Sequence, residues 1–382
     1  MSETAIPAHI CKMLWGKAAG RCQYRGCNAQ LFIDPTTKKL MNRSYVAHII
    51  ADSPNGPRGH EELSPLLAKA MENIMLLCDA HHRLIDVTDV EGHPTSLLQE
   101  MKKEHEERIE LATSIHSERH SLVVLYGSNI GEHNYPISYE KAVPALFPHH
   151  YPAEPRAIEL SLKNVSFYDH EEIFWKTEQE HLKRQVKSHL KPILTSEKYK
   201  HASLFAIAPQ PLLTFLGTLL SDLPSMEVYQ LQREPEQKWG WGIDESSSDF
   251  IVQAPEKIHP TVALNLSLSA SISPVRITDI LGAETSIWTV TIAKPNNDFL
   301  KTREQLMRFR QTIRGLFDQI KLIHGQDNCI HVFPAVAVST AIEMGRVWMP
   351  KADLPLVMYD QSPITNSFIK AFEIKREIEM VP

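Results

Sequence analysis

The chain has 382 residues, 43% of them apolar and 23% charged, with a formal net charge of −6. That length exceeds one ordinary domain and predicts two or three, while the composition excludes a disordered or fibrous protein. The acidic balance excludes a surface coated in basic groups, so any nucleic-acid contact must be a local patch.

Five cysteines are too sparse for a disulfide framework and cannot all pair within one chain. They point to a reducing, cytoplasmic setting, where clustered cysteines hold metal. No signal-peptide pattern is expected, no run reaches the ~20 apolar residues of a membrane helix, and no membrane partner is expected.

Residues 5–18 predict a short helix, with Ile10, Leu14 and Ala18 at helical spacing. Cys11 lies in it without a partner at ligand spacing and reads as a buried apolar residue. Cys22 and Cys27 flank a turn containing Gly26. A strand is expected at 31–34, and a second, rich in β-branched and aromatic residues, at 44–50. Residues 51–65 read as loop, 65–77 as a helix leading into a short extended piece, and 78–84 as the start of another helix. Leu97, Leu98, Met101, His105, Ile109 and Ala112 predict a long amphipathic helix over 94–117 with a solvated charged face. Residues 120–126 read as a strand.

The expected division is a first domain over 1–116, a linker over 117–141 and a second domain over 142–382. In the second, strands are expected at 202–208, 227–232, 262–270, 287–293, 329–333 and, last, 356–359. Helices are expected at 174–189, 212–220, 297–323 and up to residue 344. Such alternation predicts an α/β sheet with ligands at the carboxyl ends of its strands. The segments from Leu204 to Gly217 and from Ile330 to Arg346 share one plan of apolar strand, proline turn, helix and glycine, which suggests a duplicated unit. The basic residues between Lys301 and Lys321 read as a solvated helix face in preference to a nucleic-acid or oligomer contact.

Cys22 and Cys27, with Cys78 and His81, supply four donors for a tetrahedral zinc ion, the residues between the pairs forming an insert held at its base. Cys78 and His81 are three apart and share a helical face, whereas His82, rotated by about 100°, points to a different ion. The bland alternative is two buried thiols with a surface His81 and a helix-packing His82. The order Val46-Ala47-His48, Glu72-Asn73 and His81-His82-Arg83 resembles the HNH (ββα-metal) nuclease family.

That resemblance implies a zinc-stabilised ββα-metal endonuclease over 1–116. In it His48 is the general base, Asn73 tethers the loop that orients the base, and His82 binds a catalytic Mg²⁺ or Mn²⁺. Phosphodiester hydrolysis needs an activated water and charge neutralisation, and imidazole can take a proton near neutral pH. There is one departure. Many members carry an aspartate, a cation ligand, directly before the first histidine, and here that position is Ala47. Asp52 and Asp79 are the nearby acidic candidates. Arg58 either reaches a phosphate or lies in a plain surface loop.

Behind this unit, Phe205-Ala-Ile-Ala-Pro209, Gln232-Arg233…Lys238-Trp239-Gly-Trp241 and His331-Val-Phe333-Pro334-Ala335…Glu343-Met-Gly-Arg346 resemble the SAVED domain. That domain is a cyclic-oligonucleotide sensor of two fused CARF-like α/β units, found joined to HNH nucleases in bacterial antiphage systems of the CBASS type. The resemblance implies an α+β nuclease followed by an α/β sensor, a cyclic di- or trinucleotide activator, a homo-oligomer on activation, and largely non-specific cleavage of double-stranded DNA. The expected pocket residues are Pro209, Gln210, Arg233, Lys238, Trp239, Trp241, Phe333, Pro334, Ala335 and Ser339. Trp239 and Trp241 would face one side and stack on bases, or else form a hydrophobic sheet face or subunit interface. Arg233, Lys238 and the backbone N–H groups after Pro209 and Pro334 would meet phosphates.

Two rival readings remain. One is an HNH restriction endonuclease whose carboxy-terminal domain reads a DNA sequence or modified base, which the acidic balance disfavours. The other is a zinc-stabilised binding protein with an inactive HNH scaffold, which Ala47 makes conceivable.

Overall fold

The computed structural model describes residues 4–133, 135–162, 166–196, 198–221, 225–234, 236–242, 249–362 and 364–375. The chain divides into two compact units, Met1–His116 and Ser117–Pro382. Among the described residues no helix is long and apolar enough to cross a membrane.

The first unit contains α1 (Ala8–Lys17), β1 (Ser44–His48), α2 (Leu63–Leu67), β2 (Ile74–Cys78), α3 (Asp79–Arg83) and α4 (Thr95–Thr113). The two strands pair antiparallel, with Ser44 opposite Cys78 and His48 opposite Ile74, and β2 runs directly into α3. Leu14, Leu31, Ile49, Ile74, Leu76, Ile85 and Leu98 form its core. The strand expected at 31–34 shrinks to an isolated bridge between Ile33 and Leu40. Of the helix expected from residue 65 only α2 and a 3₁₀ turn over Met71–Asn73 form, and the short extended piece expected to follow it is β2. Ile74, Met75, Leu76 and Leu77 are all fully buried, and an apolar run covered on both faces is accommodated as strand.

The second unit begins with β3 (His120–Gly127), α5 (Tyr139–Ala142), β4 (Tyr151–Pro152), β5 (Ile158–Glu159), α6 (Glu172–Gln185) and α7 (Lys191–Leu194). Next come β6 (Ala202–Ile207), α8 (Gln210–Leu219), β7 (Met226–Val228), β8 (Leu231–Gln232) and β9 (Lys238–Trp239). Then follow β10 (Ile251–Gln253), β11 (Thr261–Ser267), α9 (Pro274–Leu281), β12 (Thr285–Thr291) and α10 (Arg303–His324). It closes with β13 (Ile330–Ala335), α11 (Val338–Val347), β14 (Leu356–Ser362) and β15 (Ser367–Ile374).

These strands make two principal sheets. One has β4, β3, β6 and β7 in order with β5 also on β3, all parallel; the other runs β10-β12-β11-β13-β14-β15, parallel except at its two edges. Segment 117–141 is therefore no linker. Its strand β3 is buried from Ser121 to Tyr126 and lies inside the first sheet. Nor is 356–359 the last strand, since β15 returns antiparallel along β14.

The duplicated plan expected from sequence meets at a helix crossing. A Cβ at Gly217 of α8 would sit 2.9 Å from Gly345 Cα and closer still to the Ile342 carbonyl oxygen; one at Gly345 of α11 would sit 2.9 Å from Thr218 N and closer still to the Thr214 carbonyl. Each glycine lets the other helix's backbone approach. Most basic residues of α10 are paired internally: Arg310 with Glu343, Arg314 with Asp353 and Asp318, Arg303 with Glu227.

Candidate functional sites

In the first unit, the donor atoms of Cys22, Cys27, Cys78 and His81 all lie within 4.8 Å of one another. His81 Nδ1 is 3.1 Å from Cys78 Sγ and 3.7 Å from Cys22 Sγ. A tetrahedral zinc ion with Zn–S about 2.3 Å and Zn–N about 2.1 Å sets edges of about 3.5–3.8 Å, so this donor set fits one. Gly26 supplies the positive φ (82°) of the first knuckle, and the Cys78 N–H donates to Cys22 Sγ at 3.4 Å. Burial pushes the Cys22 thiol up to about 12, so without a cation it stays protonated. Tyr24 stacks on His81 at 4.0 Å and fixes its ring plane.

His48, at the end of β1, is 7% exposed, and its Nε2 lies 2.8 Å from the Ala68 carbonyl oxygen. A carbonyl only accepts, so Nε2 carries the proton and Nδ1 is left with the lone pair. Asn73 is buried. Its Oδ1 accepts from Ile50 N–H at 2.8 Å, and its amide donates to Ile50 O at 2.8 Å and Leu67 O at 3.2 Å. It thereby ties the chain leaving β1 to the segment that also holds His48 through Ala68.

His82 stacks on Tyr45 at 4.7 Å, and its Nε2 lies 3.3 Å from Asp86 Oδ2. Asp86 was not legible in the sequence. Burial would raise its carboxyl, but hydrogen bonds from His82 and Arg58 more than offset this and hold it below the usual carboxylate range. Arg58 is no phosphate-seeking surface residue. It is 7% exposed, bonds Asp86 Oδ1 at 2.5 Å, and donates to Ile49 O at 2.6 Å and Ile85 O at 2.7 Å. Of the acidic candidates, Asp79 pairs with Arg83 at 3.1 Å and Asp52 accepts from Thr4 N–H at 2.9 Å.

In the second unit, a cavity of about 620 Å³ opens at the carboxyl ends of β6, β13 and β14. Pro209, Gln210 and Arg233, three of the residues expected at the ligand, line it together with Gln230, Asp169 and Asp360, which the sequence did not single out. Burial, and then Asp169 nearby, push the Asp360 carboxyl up to about 7.

Several expected residues lie elsewhere. Phe333 is fully buried and stacks on Tyr359 at 4.4 Å. Pro334 and Ala335 end β13 without lining the cavity, and Ser339 is buried against Gln230 Oε1 at 2.8 Å. Lys238, Trp239 and Trp241 line a separate cavity of about 510 Å³. Trp239 is 8% exposed and packs edge-on against Phe205 at 5.2 Å, so it offers no open stacking face. Two N–H groups near the start of α11 are already taken, Val336 by Gln210 Oε1 (3.0 Å) and Ser339 by Gln230 Oε1 (3.2 Å).

A second group of possible ligands, His150, His201 and Glu227, does not converge on an ion. The two rings stack at 3.9 Å with planes 10° apart, which keeps their in-plane lone pairs in two separate, nearly parallel planes, and Glu227 holds Arg303.

No curated protein matches the chain. The family described as "SMODS-associated and fused to various effectors sensor domain" (SAVED) matches residues 182–374. Among solved structures, the Acinetobacter baumannii Cap4 SAVED/CARF-domain containing receptor with the cyclic trinucleotide 3'3'3'-cAAA matches with a TM-score of 0.44 at 10% identity, over 77% of this chain and 66% of that one. The same receptor with 2'3'3'-cAAA gives 0.42 at 9%, over 78% and 66%. A third structure of it gives 0.41 at 8%, over 75% and 60%. The chain thus spans less than two thirds of the length of those receptors.

Proposed function

Because this chain belongs to the SAVED family of sensor domains, we propose that it is a cyclic-oligonucleotide-gated, metal-dependent DNA endonuclease. Its second unit binds a cyclic di- or trinucleotide, self-association follows, and the first unit cuts double-stranded DNA with little sequence preference, as an effector of CBASS-type antiphage defence. The observation that carries the nuclease half is His48. Its Nε2–H is fixed on the Ala68 carbonyl, so Nδ1 takes the proton of an attacking water without a tautomer change. Asn73 holds the Ile50 backbone in both directions, which keeps β1 and its base in one register.

Cys22, Cys27, Cys78 and His81 hold the structural zinc, and His82 the catalytic cation. A divalent cation bound there would neutralise charge on the phosphate oxygens. The cavity at the carboxyl ends of β6, β13 and β14 supports the sensor half, since open α/β sheets bind ligands there.

The test is plasmid cleavage with Mn²⁺ or Mg²⁺ across a panel of cyclic di- and trinucleotides. One or more should switch cleavage on, and His48→Ala should abolish it while ligand binding persists. Cleavage that ignores every cyclic nucleotide would favour a restriction enzyme, and cleavage surviving in His48→Ala would remove the assigned base.

A further inference from the structure

Ala47 occupies the position at which the resemblance would place an aspartate, and its side chain is 1% exposed within the apolar core with Ile49, Ile74 and Leu76. A carboxylate there would be buried without a partner, at a cost of several kcal/mol. This chain must therefore find its second cation ligand elsewhere. Hard divalent ions need oxygen donors, and one neutral imidazole holds them poorly.

Resting on the nuclease reading above, we propose that His82 Nε2 and Asp86 Oδ2 are the two protein ligands of the catalytic cation, with Arg58 as the positioning residue of Asp86. The two atoms are 3.3 Å apart, close to the edge of about 3.0 Å in an octahedron with bonds near 2.1 Å. They stand at i and i+4, where α3 widens into a π-helical turn over Leu84–Thr88. Both side chains keep some access to solvent, 30% for His82 and 21% for Asp86, so an ion can enter and retain waters.

Each oxygen of Asp86 has a separate task. Oδ1 is fixed by Arg58, which leaves Oδ2 aimed at His82. The same guanidinium nitrogen lies 3.4 Å from the His48 carbonyl oxygen. One buried side chain thus spans from the base's own backbone to the carboxylate of the cation pair. Tyr45 sets the plane of His82 from the other side. Asp79 is drawn away by Arg83, and Asp52 by the Thr4 N–H. A mixed imidazole and carboxylate set favours Mn²⁺ over Mg²⁺, which prefers oxygen alone.

The test is calorimetric titration of MnCl₂ and of MgCl₂ into the zinc-loaded 382-residue chain, with zinc content and melting temperature recorded for every variant. Wild type should bind one Mn²⁺ per chain beyond zinc, and more tightly than Mg²⁺. Asp86→Asn keeps an acceptor for Arg58 but removes the charge; it and His82→Ala should each weaken Mn²⁺ binding at least tenfold with zinc retained, whereas Asp52→Asn and Asp79→Asn should not. Wild-type Mn²⁺ affinity in Asp86→Asn with affinity lost in His82→Ala overturns this ligand assignment and leaves the nuclease reading standing. A wild-type chain that takes up no Mn²⁺ and cuts no DNA overturns both. Should Asp86→Asn lose its zinc, electron–nuclear double resonance on Mn²⁺-loaded wild type with ¹³C-labelled aspartate carboxyls decides: a strong ¹³C coupling supports the assignment, and its absence overturns it.

Discussion

Replacing Gly345 by alanine tests the helix crossing on which the sensor cavity is built. The added carbon would lie 2.9 Å from Thr218 N, against 3.4–4 Å for ordinary contact, and nearer still to the Thr214 carbonyl oxygen. Backbone atoms inside a helix cannot rotate aside, so α8 and α11 must separate. Overpacking a close-packed core typically costs about 1–3 kcal/mol, and a backbone collision belongs at the upper end or beyond. The gain in helix propensity from Gly to Ala returns only about 1 kcal/mol. The net loss should be about 2–3 kcal/mol, or a melting temperature lower by roughly 5–10 °C for a unit of this size. Gly315, in α10 of the same unit, has nothing within 4 Å of its missing Cβ, so Gly315→Ala should be neutral or stabilise by up to about 1 kcal/mol. Adding Gly217→Ala to Gly345→Ala should cost much less than it costs alone, because the helices have already parted. Urea denaturation followed on the second unit reads wild type, the three single variants and the double variant. If Gly345→Ala comes within about 0.5 kcal/mol of wild type, comparable to an ordinary surface substitution, the crossing is not as close as described and the reasoning fails.

Stripping zinc with a strong chelator, or Cys22→Ser, should unfold the first unit and leave the second melting as before; calorimetry with zinc analysis shows this, and an unchanged first transition would refute the metal site. Asn73→Ala strands the N–H and carbonyl of Ile50 and should cost about 2–4 kcal/mol in the first unit by denaturant titration. Asp360, raised to about 7 from 3.8, binds an extra proton in the folded state between those values, so its contribution to stability is full below about 4 and is lost as pH rises to 7. Binding of an anionic cyclic nucleotide should likewise weaken from pH 6 to 8, and Asp360→Asn should flatten both profiles; parallel profiles in wild type and variant would remove Asp360 from the account.

What the sequence revealed about the first unit was local. Cys22 and Cys27 around Gly26, and Cys78 three residues before His81, carry their geometry in their spacing, and the structure brings those four side chains together. Asp86 and Arg58 carried no such sign. One is four residues beyond His82 in an ordinary helical run and the other sits in a Pro/Gly loop, and only the return of that loop over β1 makes them a pair. In the second unit the strand and helix alternation was plain, yet the strand that became β3 was assigned to a linker, because its parallel partners lie far off in sequence. The tryptophan pair is split: both line a cavity, but Trp239 is buried. Alternation placed them on one side but could not tell that Phe205 and Tyr229 stack beneath that side and bury Trp239.

The cavity lining was hard to read for a further reason. Gln210 and Gln230 belong to the first half of the sensor unit, and each accepts an N–H from the start of α11 in the second. Gln232 continues the pattern, donating to the Leu300 carbonyl at 3.1 Å. The first half contributes side chains and the second contributes main chain, so the duplicated plan is broken where the halves meet. A glutamine is an unremarkable residue in isolation, and a backbone N–H leaves no mark on a sequence at all. The same bonds remove one donor that a bare helix start would offer a phosphate, the Ser339 N–H, and the Val336 N–H just ahead of it. The donors left facing this cavity are Arg233, His133, Ser269, Asn297 and the remaining main chain, and a protonated Asp360 would lower the negative charge beside them. The pH dependence of cyclic-nucleotide binding, compared in wild type and Asp360→Asn, therefore tests whether this cavity is the binding site and whether Asp360 takes part.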